Sequence, residues 1–125
     1  MSTAQVEPPV WLPDLLVDIS KLGELEENWD SYGARRIDRR CIEAAVSVLR
    51  AILDVATPRP SVVPTSSGGI QFEWHRGGID LEIEIESPSR MNVFFEDEQV
   101  GVQRELTLMG NIRPLVEFLQ CLEAR

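Results

Sequence analysis

Acidic and apolar residues alternate through positions 79–86, which puts four carboxylates on one predicted strand. The acidic members are Asp80, Glu82, Glu84 and Glu86. A period of two is typical of a β-strand, so these side chains are expected on one face at about 6.8 Å per step. Glu73, on the preceding predicted strand, is expected opposite Asp80 or Glu82, and like charges that face each other across strands are destabilising.

Two interpretations of this acidic face stay open. In the functional interpretation, the carboxylates bind a basic protein. Such partners include proteins whose usual ligand is nucleic acid, because the spacing of the carboxylates is comparable to the phosphate repeat along a nucleic-acid strand. In the structural one, they form a solvated sheet face whose charges deter edge-to-edge association.

The segment 27–34 holds two large aromatic residues, Trp29 and Tyr32, among residues that favour turns. Asn, Asp, Ser and Gly accept turn conformations readily, so both aromatics are expected in a loop. Such residues either pack against the core, which a small domain needs for its buried area, or anchor a partner protein.

Four arginines surround Asp38 at the predicted start of a helix. They are Arg35, Arg36, Arg39 and Arg40. Cations oppose the helix dipole at this end, so they require an explanation. Either they pair with nearby acids such as Glu24, Glu26 and Glu27, or they hold an anion such as phosphate at the helix N-terminus.

The sequence holds few of the residue arrangements that enzymes use for catalysis. His75 is the only histidine, and neither Cys41 nor Cys121 lies in a loop where it could act with His75 as a nucleophile. Metal sites usually recruit clusters of His or Cys, and segment 66–69 lacks the Lys and following helix of a phosphate-binding loop. The sequence predicts free cysteines, no metal, no cofactor and no enzymatic activity.

Three helices are predicted from apolar residues at helical spacing. The first has Pro13 in its first turn and Gly23 as a left-handed stop; the second is capped by Asp38 and ends before Pro58; the third has Pro114 in its first turn. The predicted buried stripes are Leu12, Leu15, Leu16, Ile19 and Leu22 in the first helix, Ile42, Ala45, Leu49, Ile52 and Ala56 in the second, and Leu115, Phe118, Leu119 and Leu122 in the third.

Between residues 61 and about 102 the apolar period changes to two. Strands are predicted at 62–63, 70–74, 79–85 and 91–95, with a further short one at 100–103. Either a two-residue loop at Gly77-Gly78 or a four-residue loop at 75–78 keeps the apolar sets of the central hairpin on one face. The predicted fold is α+β: an antiparallel meander of about four strands with one face covered by three helices.

Length and composition are consistent with that fold. The chain has 125 residues, 43% of them hydrophobic, and a net charge of −9. These values predict a single domain at 10–125 after a disordered lead at 1–9. No membrane span or secretory signal is visible, so a cytoplasmic location is expected. The charge disfavours direct nucleic-acid binding and favours either a basic partner or good solubility.

Three sequence blocks occur in order: NWDSYGA at 28–34, PSVVPT at 60–65 and GGIQFEW at 68–74. Together they resemble a family of small bacterial proteins with no established activity, over roughly residues 22–85. The resemblance implies a bacterial source and a recurring fold. Small families of this size recur among mobile and defence genes, which adds some weight to antitoxin, immunity or anti-defence roles.

These features predict a non-catalytic acidic module that binds a basic bacterial protein, as an antitoxin or immunity-like partner does. The partner-binding residues would be the five acids of the hairpin together with Trp29 and Tyr32. Three alternatives stay open: an anti-defence mimic of nucleic acid, an anion or nucleic-acid binder acting through the arginines, and a homo-oligomeric subunit such as a homodimer that pairs through a sheet edge.

Overall fold

The computed structural model describes residues 7–125. Most of the predicted lead, residues 1–6, lies outside the described part of the chain. Glu7 and Pro8 are exposed, whereas Pro9 is buried and its carbonyl accepts the Leu12 N–H at 3.1 Å. The described chain therefore packs onto the core from the turn that leads into the first helix.

Three helices and five strands make up the described chain. They are α1 (Leu12–Leu22), α2 (Arg39–Ile52), β1 (Ser61–Pro64), β2 (Ile70–Arg76), β3 (Ile79–Ser87), β4 (Arg90–Asp97), β5 (Val102–Leu108) and α3 (Arg113–Glu123). The strands form one antiparallel sheet in the order β1-β2-β3-β4-β5, so each strand pairs with its neighbours in sequence. The predicted α+β class and meander are confirmed.

The last strand differs from its prediction, because residues 100–103 are not a strand throughout. Val100 and Gly101 form a turn in which the Gly101 N–H donates to the Asp97 carbonyl at 2.9 Å. The positive φ of Gly101, 70°, permits this turn. Strand β5 begins only at Val102 and continues to Leu108, so the sheet has five full members rather than about four.

The register of the central hairpin follows the two-residue alternative. His75 pairs with Asp80 and Arg76 with Ile79, which leaves Gly77 and Gly78 as the turn. Both glycines have positive φ, 58° and 85°, as a type I′ turn requires and as residues with a Cβ rarely adopt.

The core lies between one face of the sheet and the three helices. Alternate residues of the three central strands are buried on that face: Ile70, Phe72, Trp74, Ile79, Leu81, Ile83, Ile85, Met91, Val93 and Phe95. The helices cover them with Leu12, Leu15 and Ile19 of α1, Cys41, Ala45, Leu49 and Ile52 of α2, and Leu115, Phe118, Leu119 and Leu122 of α3. The molecule therefore has two layers, and the other face of the sheet has no helix on it among the residues described.

The helix ends confirm the three predicted starts, with Pro13 and Pro114 in the first turns of α1 and α3, and correct two predicted ends. Asp38 caps α2 as predicted, its carboxylate accepting the Arg40 N–H at 2.8 Å. Gly23 ends α1 with an ordinary right-handed φ of −67°, not as a left-handed stop. Helix α2 ends at Ile52, so Ala56 is exposed in a turn that the Asp54 side chain closes by accepting the Ala56 N–H at 2.9 Å.

Both cysteines are free, but their surroundings differ. Cys41 is buried in the core as a small hydrophobe, and its burial raises the pKa of the thiol. Cys121 is exposed on α3. Among the described helices, none is long and apolar enough to cross a bilayer.

We expect the stability of the fold to depend on the apolar side of β3. Replacing Leu81, which is fully buried, with Ala should lower the free energy of unfolding by about 2–5 kcal/mol. Both the loss of buried apolar surface and the cavity that remains destabilise the folded state. Val100→Ala, at a residue that is 64% exposed, should change it by less than about 0.5 kcal/mol. Urea unfolding of both variants measures the difference, and equal losses would contradict the assigned core.

Candidate protein-interaction face

The uncovered face of the sheet carries the polar members of every strand. The pairing register places there Ser61, Val63, Gln71, Glu73, His75, Asp80, Glu82, Glu84, Asn92, Phe94, Glu96, Gln103, Glu105 and Thr107, which we call the acidic face. Six of these residues are carboxylic acids and none is Lys or Arg. The face is therefore strongly negative, with His75 as its single residue that titrates to a cation.

Like charges meet directly on this face. Glu73 pairs with Glu82 across β2 and β3, and Asp80 pairs with Glu96 across β3 and β4. Side chains directly opposite each other have Cβ atoms about 5 Å apart, and two carboxylates in this position destabilise the pairing. The structure thus brings together four of the acids predicted as a site, Glu73, Asp80, Glu82 and Glu84, without an internal lysine or arginine to neutralise them.

Three of the carboxylates at the margin of the face have side-chain partners. Glu84 accepts the Asn92 amide N–H at 2.9 Å, and Glu73 accepts that of Gln71 at 2.8 Å. Asp80 lies 2.5 Å from the Nδ1 of His75. These contacts orient the marginal acids and leave the centre of the face as the least compensated region.

Phe94 occupies that centre, and the sequence analysis did not select it. Its neighbours across the strands are Glu82 on β3 and Glu105 on β5, and the next residues of β4 on the same face are Asn92 and Glu96. Among the described residues, none donates a side-chain hydrogen bond or forms an ion pair with Glu82, Glu96 or Glu105. Phe94 is half-buried and helps line a shallow groove of roughly 340 Å³.

Glu86 is not part of the acidic face, although the alternation predicted it there. A register shift between Ile85 and Ser87 breaks the ladder at this point. The Glu86 carboxylate instead forms an ion pair with Arg90 at 2.7 Å, at the turn between β3 and β4. Its charge is therefore compensated locally, and it is the one predicted acidic residue that the structure separates from the others.

The loop that holds Trp29 and Tyr32 is built by its own polar residues. The Asp30 carboxylate accepts the N–H groups of Tyr32 at 2.8 Å and Ala34 at 3.0 Å, and these donors lower the Asp30 pKa. The side-chain oxygen of Asn28 accepts the Gly33 N–H at 2.6 Å. The turn-forming residues therefore impose a defined conformation on the loop.

The two aromatics of this loop have different surroundings. Trp29 is half-buried and donates its indole N–H to the Arg35 carbonyl at 3.0 Å. Tyr32 is 92% exposed, so it does not pack against the core. The Arg35 N–H donates to the Ser66 carbonyl at 2.9 Å, which ties the loop to the β1–β2 turn and not to the strands of the acidic face.

The arginine cluster is only partly paired. Arg40 contacts Asp38 at 3.2 Å and Arg39 contacts Glu43 at 3.5 Å. The pairing with Glu24, Glu26 or Glu27, one of the two interpretations of the sequence, is not among the ion pairs of the described residues. Of those three acids, Glu27 accepts the backbone N–H of Arg36 at 2.9 Å. Arg35 and Arg36 have no ion pair within the described residues.

Arg35, Arg36 and Arg39 line a cleft of roughly 1130 Å³ between α1, the loop and the start of α2. Acids line it as well, among them Glu24 and Glu27. Because both signs of charge border the cleft, its electrostatics select neither anions nor cations, and anion binding at these arginines stays a prediction.

One further acidic cluster lies near the start of β3 and the end of β4. Carboxylate oxygens of Asp80, Glu96 and Glu98 come within 4.8 Å of one another, the only group of three or more ligand-type side chains this close in residues 7–125. Oxygen ligands of this kind suit Mg²⁺ or Ca²⁺. Exposed acidic groups commonly lie together without an ion, so the cluster assigns no metal.

Comparison with known proteins adds no family to this description: no family model, curated protein or solved structure matches the chain. The resemblance of the three sequence blocks to a bacterial family accordingly stays a prediction. The class that the structure defines is an α+β domain with a one-sided, acidic antiparallel sheet.

The His75–Asp80 pair provides a test of the electrostatics at one end of the face. The Asp80 hydrogen bond raises the pKa of His75 above 6.5, with smaller contributions from the charges of Glu73 and Glu82. A folded-state pKa above the unfolded value means that the pair stabilises the fold fully below about pH 6.5 and loses that effect as the pH rises through the folded pKa.

In an NMR titration of the imidazole, Asp80→Asn should therefore lower the His75 pKa towards its ordinary value. Glu73→Gln, which removes a more distant charge, should lower it by less. A His75 pKa that stays the same in Asp80→Asn would show that the pair does not form in solution.

The loop makes a separate prediction. Asp30→Ala removes the acceptor of the Tyr32 and Ala34 amides, so exchange of both amide protons with solvent should accelerate. The wavelength of the Trp29 fluorescence emission should shift as well. Glu26→Ala, at an exposed acid in the same region, should leave both observables unchanged. Protection that survives in Asp30→Ala would mean that the backbone alone holds the loop.

Proposed function

We propose that this chain is a non-catalytic binding module whose acidic face docks on a basic surface of a partner protein, in the manner of an antitoxin or immunity protein. The observation that carries the proposal is the face itself, with six carboxylates and no lysine or arginine on an uncovered sheet. A basic partner would relieve repulsion that the chain leaves uncompensated.

The charge arrangement favours fast and oriented association. A surface of one sign raises the local concentration of an oppositely charged partner and steers its approach, and the effect weakens with ionic strength. The Phe94 ring, which helps to line the groove, supplies a contact that charge alone lacks, because aromatic residues are common anchors of interfaces.

The size of the face limits the complex it can form alone. Five strands about 4.8 Å apart and about seven residues long at 3.4 Å each give an area on the order of 500 Å². A standard interface covers about 800 Å² on each partner. A stable complex would therefore extend beyond the face, and exposed Tyr32, in the loop fixed to the β1–β2 turn, is the additional anchor that we assign.

Charge reversal at the centre of the face tests the proposal. Tagged wild-type protein is used to capture partners from the cells that express it, alongside the double variant Glu82→Lys/Glu105→Lys and the control Glu24→Lys/Glu26→Lys. The two variants change the net charge equally, from −9 to −5, because each replaces two acids by two bases. We expect one stoichiometric basic protein with the wild type and the control, and its loss with the face variant.

The outcomes separate the alternatives. If the captured protein binds nucleic acid, and DNA or RNA competes for it, the acidic face acts as a nucleic-acid mimic. Retention of the partner by the face variant would contradict docking at this face. Self-capture without another protein would support the homo-oligomeric alternative, in which the free edge of β5 pairs with a second copy.

A further inference from the structure

The carboxylates of the acidic face fall into two groups that differ in their contacts. Those with a side-chain partner, Glu73, Asp80 and Glu84, are not paired directly with Phe94, although Glu84 borders the same groove. Those without one in the described residues, Glu82, Glu96 and Glu105, are its direct neighbours across the strands and along β4. The uncompensated charge is therefore concentrated around one aromatic ring.

This juxtaposition has a specific complement. The face of an aromatic ring attracts a cation, and carboxylates beside the ring accept hydrogen bonds from it. A guanidinium group can make both contacts at once, since it is planar, stacks on aromatic rings and presents several N–H donors in one plane. An ammonium group is compact and more strongly hydrated, so it makes the stacking contact less well.

The polar contacts at the margin would help to define the groove. Asn92 donates to Glu84 at 2.9 Å and accepts from the Thr107 hydroxyl at 3.3 Å, which links β3, β4 and β5 beside Phe94. One wall of the groove is thus fixed by hydrogen bonds before anything binds. A prearranged wall reduces the ordering that binding a side chain would otherwise require.

We propose that the groove at Phe94 binds an arginine side chain of the basic partner, its guanidinium stacked on the Phe94 ring and hydrogen-bonded to Glu82 and Glu105. The inference rests on the proposed docking function and adds that the face selects arginine over lysine. Recognition of a basic segment would then depend on which cation it carries as well as on its total charge.

Two synthetic peptides of equal length and charge provide the test, one with five arginines alternating with glycine and one with five lysines in the same positions. Binding to the full chain is measured by isothermal titration calorimetry at low salt. The wild type should bind the arginine peptide about fivefold more tightly than the lysine peptide, as expected for a cation–aromatic contact. Phe94→Leu, which keeps an apolar side chain, should reduce this preference to less than about twofold.

Two control variants distinguish the contribution of the Phe94 ring to binding from that of the negative charge around it. Glu82→Gln should weaken both peptides, and Val102→Ala, on the opposite side of the sheet, should change neither. Thermal unfolding of each variant verifies that it is folded. Equal affinity for the two peptides in the wild type, or a preference that survives Phe94→Leu, would overturn the arginine site while leaving acidic docking intact. Failure of both peptides to bind would overturn the docking proposal as well.

Discussion

The pairing register of β2 and β3 is the constraint on which the rest of the structure depends. The Gly77-Gly78 turn sets it, and with it the sides of the sheet to which the apolar and acidic residues point. A shift of one residue would turn the apolar set of one strand away from the helices. Because β1 and β4 pair with the outer sides of this hairpin, its register also determines the core and the acidic face across the sheet.

The same alternation has opposite energetic effects on the two sides. On the helical side, burial of side chains such as Phe72 and Leu81 stabilises the fold by roughly 1.5–3 kcal/mol each. On the open side, opposed carboxylates such as Glu73 and Glu82 oppose it by at most about 1 kcal/mol per pair. The core therefore prevails by a wide margin, and the sheet can hold a repulsive face without unfolding.

Features set by local periodicity were predictable from the sequence, and features set by tertiary contacts were not. The three helices, the central hairpin and the Asp38 cap follow from spacing and turn chemistry. The end of α2 depends on the side chain of Asp54, and the position of Glu86 depends on a bulge, neither of which a period reveals. Strand β5 was placed too early because Val100 was assigned to it rather than to the turn.

The centre of the candidate site was missed for a different reason. The alternation of Met91, Val93 and Phe95 with Asn92 and Glu96 places Phe94 on the polar face, but the sequence analysis selected that face by its acids and passed over an apolar residue. In the structure Phe95 is buried and stacked on Phe118, with ring centroids 4.4 Å apart, and Phe94 faces the other way. Strand β5 then brings Glu105 beside it.

The distribution of cations reinforces the polarity of the molecule. Arg59 pairs with Asp18 of α1 at 2.9 Å, Arg104 lies over the ring of Phe118, and Arg125 contacts the buried Asp97, so each is engaged on the helical side of the sheet. The net negative charge is consequently not spread evenly, because the acidic face holds six carboxylates and no Lys or Arg, whereas these three bases are engaged in the helical layer. In the proposed docking function, this asymmetry would turn the open sheet towards a basic partner before contact. Charge would then govern the rate of encounter, and the groove at Phe94 the lifetime of the complex.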